Sequence, residues 1–141
     1  MLQESIKIIY LIRIASAGVP FKDIKTVYVD ESSDRVYVGA HAGGMMVLHR
    51  KTGEKKFYNQ QNSDLPSNNI YSIMPDEGNG LWIASLEHLF YFDIIKKKSI
   101  IVDKDIKGHP IQKYNRLLFR DSKRRIWIGG EVGLSVYNQL D

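Results

Sequence analysis

A chain of 141 residues, 43% of them hydrophobic and 26% charged, has the length and composition of a single soluble domain. It contains no cysteine, which excludes disulfides, thiolate metal sites and cysteine nucleophiles. The formal net charge is +4, but the basic clusters at 96–98 and 120–125 neither follow one helix nor alternate with stacking aromatic residues, so nucleic-acid binding is disfavoured.

The first apolar stretch, from Ile6 to Ala17, ends in a small-x-small triplet as secretory signals do, but Glu4 precedes it and Arg13 interrupts it. It is shorter than the roughly 18 residues that a membrane-spanning helix needs. We interpret residues 5–12 as a strand rather than a cleaved signal, and residues 17–20 as the turn that follows it.

Short runs of β-branched and aromatic residues, separated by polar turns, fill the rest of the chain. No helical period competes with them, so these runs predict strands. Asn79-Gly80 predicts a type I′ hairpin turn, because both residues tolerate a positive φ. The predicted strands are 24–29, 35–39, 45–49 and 54–58, then 70–74, 81–84, 88–92 and 98–102, then 115–119, 126–129 and 133–137.

The strands recur in a repeat of 44 to 46 residues. An aromatic residue occupies the same place in each copy, as Tyr37, Trp82 and Trp127. An aspartate ends the first strand of each copy, and leucine or methionine begins the third. The matching residues are Asp30, Asp76 and Asp121, then Met45, Leu89 and Leu134, with Pro20, Pro66 and Pro110 in the entry loops.

Four short antiparallel strands per repeat, with one aromatic at a fixed place, are typical of a β-propeller blade. The alternative, a β-sandwich with chance similarity between strands, does not explain a register kept twice. We predict an all-β fold of three four-stranded antiparallel β-propeller blades in one domain, residues 1–141. The sequence units are about 5–49, 54–92 and 98–138, with residues 5–12 a staggered outer strand.

Three blades do not surround an axis, so two blade faces of roughly 300 Å² each would stay bare. At about 25 cal/mol per Å², each bare face forfeits roughly 8 kcal/mol, as much as the whole stability of a domain. We therefore expect either a head-to-tail homodimer of six blades, in which each N-terminal strand completes the partner's last blade, or further blades of a longer sensor.

The repeat resembles the two-component regulator propeller repeat, in which Asp-x-x-Gly-x-Leu-Trp-Ile-Gly-Thr precedes Gly-Leu-x-x-Tyr-Asp. The matching stretches are 76–85 with 88–93, and 121–129 with 133–138, while 65–70 is similar to the family's linker. The first copy departs most, with Tyr37 for tryptophan, and the second has Ala84 and His88 in place of glycine. The resemblance covers residues 18 to 138.

This resemblance implies a sensor module from the periplasmic side of a bacterial hybrid two-component system, with an oligosaccharide as ligand. Family members usually add many more blades, a transmembrane helix and a kinase. Two alternatives stay open. One is a structural or protein-interaction propeller without a small ligand, and the other is a lyase or hydrolase, since some bacterial lyases use blades of similar length.

The sequence contains no residue pattern typical of a catalytic site or a metal site. The four histidines, His41, His49, His88 and His109, never form a ligand-spaced pair, and the serines lack a nucleophile elbow. The repeated aromatics are expected in the core between blades, and the repeated aspartates in turns. We predict no catalytic residue, no metal and no cofactor, and therefore no enzyme.

A binding surface, if the blades carry one, is predicted where the entry loops meet the loops between second and third strands, because a meander sheet puts both at one end. Its polar and aromatic groups suit a hydroxyl-rich or anionic ligand. The opposite end collects the basic clusters and could meet an acidic partner. The candidate ligand-binding residues are Lys22, Asp23, His41, Asn68, Asn69, Glu87, Lys113, Tyr114 and Glu131.

Overall fold

The computed structural model describes residues 13–16, 18–102, 104, 107–110, 115–131 and 133–138. The predicted strand 5–12 and the candidate residues Lys113 and Tyr114 lie outside these ranges. Every described element is a strand. In chain order they are β1 Ile14–Ser16, β2 Val19–Phe21, β3 Ile24–Asp30, β4 Arg35–Ala40, β5 Gly44–His49, β6 Lys55–Tyr58, β7 Ile70–Pro75, β8 Gly80–Ser85, β9 Leu89–Asp93, β10 Lys98–Val102, β11 Asn115–Arg120, β12 Arg125–Gly130 and β13 Leu134–Asn138.

The strands form antiparallel meander sheets that confirm the predicted all-β blade architecture. Blade 1 contains β3 to β6, blade 2 contains β7 to β10, and the described part of blade 3 contains β11 to β13. The sheets thus span 24–58, 70–102 and 115–138, so the sequence units 54–92 and 98–138 each begin with the outer strand of the preceding sheet. Among the described residues, β13 pairs with β12 alone.

The N-terminal part departs from the expectation of a simple turn and entry loop. Val19–Phe21, including Pro20, is a strand that pairs with Ile14–Ser16 in a hairpin, and Gly18 makes the turn with a φ of 80°. Proline is tolerated because this is a two-stranded ribbon whose strand edges need no further donor.

The hairpin between the first two strands of blade 2 also differs from the predicted type I′ turn. Its positive φ of 69° belongs to Gly78, and Gly80 already lies in β8. Gly80 has another function, because a Cβ at this position would collide with the Tyr91 hydroxyl. A glycine that the sequence suggests for turn geometry is required here by the close approach of a side chain.

Adjacent blades pack through opposite faces of their sheets. We call the face that a blade turns to its successor the forward face, and the one that it turns to its predecessor the back face. The forward face of blade 1 and the back face of blade 2 bury Tyr37, Met45, Val47, Tyr58, Leu65, Ile70, Ile73, Leu81, Ile83, Phe90, Phe92 and Ile94 in one cluster.

The second junction uses matching positions one repeat later. Met74, Trp82 and Leu89 form the forward face of blade 2, and the edge-on pair of Trp82 with Tyr91 (5.3 Å between ring centroids) extends it. The back face of blade 3 covers them with Leu118, Ile126, Ile128 and Tyr137. These four lie 45 residues after Ile73, Leu81, Ile83 and Phe92, so the two junctions repeat one register.

The two outer faces of the described structure differ. On the back face of blade 1, Val38 and Met46 are buried against Phe21 of the N-terminal hairpin, whose ring meets Phe57 edge-on at 5.6 Å. On the forward face of blade 3, Phe119 and Leu134 are 65% and 67% exposed. Their counterparts in blade 2, Met74 and Leu89, are 8% and 0% exposed. Blade 3 therefore ends in an apolar face without a neighbour among the described residues.

Candidate functional site

The strand directions gather two sets of loops at one end of the blades, which we call the loop end. It holds the entry segments before β3 and β7 and the connections from β4 to β5, β8 to β9 and β12 to β13. The opposite end, the hairpin end, carries the connections from β3 to β4, β5 to β6, β7 to β8, β9 to β10 and β11 to β12. All described members of the predicted binding set lie in the loop end.

Asn68 and Asn69 connect the loops of blades 1 and 2. The main-chain carbonyl of Asn68 accepts the Gly44 N–H at 2.9 Å, and that of Asn69 accepts the Leu86 N–H at 3.2 Å. The side chains add two more bonds, because Asn69 Oδ1 accepts from Ala42 N–H and Asn68 Oδ1 from Gln60 N–H, each at 2.8 Å. Both carboxamide oxygens therefore hold the protein's own backbone, a function that the sequence did not indicate.

The charged candidates lie around this pair but are not drawn into one cluster. Lys22, His41, Glu87 and Glu131 are exposed. The Asp23 carboxylate forms an ion pair with Lys25 at 3.2 Å, and the Asp23 main-chain carbonyl accepts the His41 N–H at 3.0 Å. The loop end thus has polar, solvent-accessible groups, while a convergent set of charges is not formed among these residues.

A cavity of about 270 Å³ lies in the loop end, between the N-terminal hairpin and the loop that leaves blade 1. Of the predicted set it contains Asn68 alone, so most of its lining was missed. The signal available in the sequence was the amide-rich run Asn59-Gln-Gln-Asn62 in a blade-to-blade linker. The lining residues are Ser16, Val19, Pro20, Phe21, Ala42, Gly43, Asn59, Gln61 and Asn68.

Two other cavities differ in chemistry. One of about 610 Å³, beside the start of β3, is lined by residues 13–15 and 20–24, among them the candidates Lys22 and Asp23. Another, of about 480 Å³, lies between the outer parts of blades 1 and 2, where Lys56 and Lys97 flank Phe57, Tyr58, Ile94 and Ile95.

At the hairpin end the repeated aspartates hold the repeated indoles. Trp82 Nε1–H donates to Asp76 at 3.2 Å, and Trp127 Nε1–H to Asp121 at 2.9 Å. The Asp76 carboxylate is also 3.4 Å from Arg120 of blade 3, so the hairpin ends of blades 2 and 3 are joined electrostatically. In blade 1, Asp30 instead accepts from the Ser32 and Ser33 hydroxyls at 2.8 Å.

These bonds stabilise the charged form of the carboxylates. Donation from Trp127 and from the Arg125 N–H holds the pKa of Asp121 well below its ordinary value of 3.8. Donation from the Ser32 and Ser33 hydroxyls likewise lowers the pKa of Asp30. These carboxylates hold turns in place, so their lowered pKa values reflect structure and do not mark general acids or bases.

Within the described ranges, no group of three or more histidine, aspartate or glutamate side chains is placed to hold a metal ion. The same ranges contain no helix long and apolar enough to span a membrane.

Part of the second repeat matches the model of a known protein family. Residues 64–87, which contain the entry loop and the first two strands of blade 2, match the model described as two component regulator propeller. This segment is therefore similar to a regulator propeller repeat. This confirms the resemblance seen in the sequence, and the matched segment includes Asn68, Asn69, Asp76 and Trp82.

Solved structures of three bacterial proteins share the fold. The extracellular domain of BT4673 from B. thetaiotaomicron, described as a hybrid two component system, aligns over 89% of this chain with a TM-score of 0.70 and 20% identity. That of BT3049 from the same organism aligns over 83% with a TM-score of 0.53 and 17% identity. PorZ, a surface component of the type-IX secretion system of Porphyromonas gingivalis, aligns over 84% at 0.52 and 16% identity.

The chain spans less than a quarter of these structures, namely 17%, 22% and 15% of their respective lengths. At such identities the likeness concerns the fold. A comparison with curated proteins found no match.

Proposed function

We propose that this chain is a non-enzymatic ligand-binding segment of a sensor β-propeller that responds to an oligosaccharide outside the cytoplasm. The observation that supports the proposal is the regulator propeller repeat at 64–87 in a fold shared with extracellular domains of two-component systems. The loop end, with its exposed polar groups around Asn68 and Asn69, is the proposed binding surface. A periplasmic location follows from the same resemblance.

The proposal includes assembly with further blades, because three blades alone do not close a propeller. The forward face of blade 3 is open. By analogy with the second junction, it would be covered by the back face of another blade that has apolar residues in the places that Ile126 and Ile128 occupy in blade 3. Further blades of a longer sensor supply such a face. A second copy of the chain, arranged head to tail into six blades, supplies it when its N-terminal hairpin leaves the back face of its blade 1, which Phe21 covers in the single chain.

A thermal-shift screen tests the sensing function. A ligand at 100 times its Kd stabilises the native state by about 2.7 kcal/mol, which raises the melting temperature by several degrees in a chain of this size. We expect at least one oligosaccharide from a panel of bacterial, plant and host glycans to produce such a shift. If none does, the chain is not a glycan sensor.

A second candidate, a protein-interaction module, is favoured by one observation, the exposed apolar face formed by Phe119, Leu134 and Leu117, which is 70% exposed. Such a module would leave the melting temperature unchanged across the glycan panel. A reducing-end assay on the same glycan panel separates the lyase alternative, because turnover would release new reducing ends from an oligosaccharide.

A further inference from the structure

The cavity between the N-terminal hairpin and the 59–68 loop is uncharged, in a chain where 26% of residues are charged. The residues with polar side chains that line it are Ser16, Asn59, Gln61 and Asn68. The remaining lining, at 19–21 and 42–43, is apolar or main chain. A ligand that enters therefore meets hydrogen-bonding groups and apolar surface but no ionic partner.

The hydrogen bonds within the protein fix which groups are free for a ligand. Asn59 Oδ1 accepts the N–H groups of Gln61 and Asn62 at 2.9 and 3.0 Å, and Asn68 Oδ1 accepts that of Gln60 at 2.8 Å. These bonds orient both carboxamides and leave their NH₂ groups without a partner among the described residues. Two oriented donors thus remain in one small cavity, a combination that suits hydroxyl or carbonyl oxygen acceptors.

The apolar part of the lining is held rigidly. The Phe21 ring is fixed edge-on against Phe57, and a Cβ at Gly43 would lie 3.3 Å from two Phe21 ring carbons. Glycine at 43 therefore lets the backbone approach the ring. Val19, which is 66% exposed, extends the apolar surface outward. Aliphatic C–H groups of a ligand pack well on such an apolar surface, whereas an anionic group does not.

We propose that this cavity binds one ring of a neutral polyhydroxylated ligand, so that the sensor is selective for uncharged sugars over uronic or sulfated ones. The inference rests on the proposed sensing function and adds its site and ligand class. Hydroxyl groups of the ligand accept hydrogen bonds from the Asn59 and Asn68 amides. They also donate hydrogen bonds to Gln61 and Ser16 or accept them from these side chains. A carboxylate or sulfate would lose its hydration here without gaining a cation, which is costly. The cavity beside Lys56 and Lys97 has the charges that an anion needs, and this one does not.

The experiment measures Kd by calorimetry for the whole chain with defined hexasaccharides. Maltohexaose, cellohexaose, xylohexaose and mannohexaose are the neutral probes, and hexagalacturonate and a heparin hexasaccharide are the anionic ones. Asn68→Asp keeps the oxygen that holds Gln60 but replaces the free donor by a charged acceptor. Gln61→Ala removes an exposed side chain that makes no hydrogen bond to the described residues. Asn79→Ala, an exposed amide at the hairpin end, is the matched control.

We expect at least one neutral probe to bind, with a Kd raised at least tenfold by Asn68→Asp and threefold by Gln61→Ala, and unchanged by Asn79→Ala. If Asn68→Asp fails to fold, Gln61→Ala decides. Neutral binding that neither variant weakens would place the site elsewhere and overturn this inference while the sensing function stands. Binding of the anionic probes alone would overturn the neutral class but not the function. If no probe binds and the wider glycan panel gives no thermal shift, the sensing function itself fails.

Discussion

At the residue scale, two carboxylates accept the two indole N–H groups of the chain. Asp76 and Trp82 are six residues apart, as are Asp121 and Trp127, and both pairs form the same bond. In the first copy, the aspartate and Tyr37 are seven apart, and the hydroxyls of Ser32 and Ser33 take the place of an indole donor. The six-residue spacing between aspartate and tryptophan was visible in the sequence. The direction of the indole N–H was not, because it depends on the conformation of the hairpin turn.

The Asp121 bonds predict a specific pH dependence of stability. Because donation from Trp127 lowers the pKa of Asp121 in the folded state, its contribution is fully present above about pH 4 and is lost as the pH falls further. We expect Asp121→Asn to lower the urea midpoint at pH 7 and to show a shallower decline between about pH 4 and pH 2.5 than the parent chain.

The measurement is the urea midpoint followed by tryptophan fluorescence across this pH range. Glu77→Gln, which removes an exposed carboxylate of the blade 2 hairpin, controls for the change of net charge. Equal slopes for the parent chain and Asp121→Asn would show that the Trp127 bond does not couple to folding.

At the element scale, the first strand of each blade has a shift in its pairing register at the same place in the repeat. Pairing shifts between Ile24 and Thr26, between Ile70 and Ser72, and between Asn115 and Leu117. The strands of the three blades follow from β-branched and aromatic runs, so the sequence predicted them within one or two residues, whereas it did not predict β1 and β2. The shifts did not follow, because a bulge is set by how two strands twist against each other and by the loop hydrogen bonds at their ends.

Glycines at one register position give a matched pair of substitutions. Gly39 and Gly129 occupy the place of buried Ala84 in blade 2. A Cβ at Gly39 would lie 2.6 Å from Ile70 Cγ2, whereas at Gly129 it would meet Leu117 at an ordinary 3.6 Å. We expect Gly39→Ala to destabilise the chain by about 1–3 kcal/mol through overpacking of the first junction.

In the monomer, Gly129→Ala should change the free energy of unfolding by less than about 0.5 kcal/mol, because the added methyl then lies on the exposed forward face of blade 3. Chemical denaturation of both variants checks the pair. Equal losses would mean that backbone conformation, not the neighbouring blade, decides the cost at this position.

At the scale of the whole molecule, the forward face of blade 3 is exposed. Leu134 is 67% exposed where its counterpart Leu89 is fully buried, and β13 has one hydrogen-bonded neighbour among the described strands. The sequence predicted that closure needs more blades, since that follows from counting repeats. It did not predict that the N-terminal hairpin would cover the back face of blade 1 and leave the two outer faces unequal.

Sedimentation velocity at micromolar concentration tests whether this face drives association. We expect the chain to sediment with twice its mass, and Leu134→Lys to shift it toward the monomer, because a buried charge without a partner is costly in a blade junction. Ile100→Lys is the matched control, since Ile100 is 69% exposed but lies on the outer strand of blade 2. A parent chain that stays monomeric would contradict the head-to-tail dimer.

The shared register of the two junctions has a consequence for how such a protein can change its size. Because Leu118, Ile126, Ile128 and Tyr137 occupy the places of Ile73, Leu81, Ile83 and Phe92, a tandem duplication of residues 70–114 would bring compatible apolar surfaces together at each new boundary. Lengthening by whole modules requires no newly evolved contact, and the loop end gains another set of variable segments with every copy.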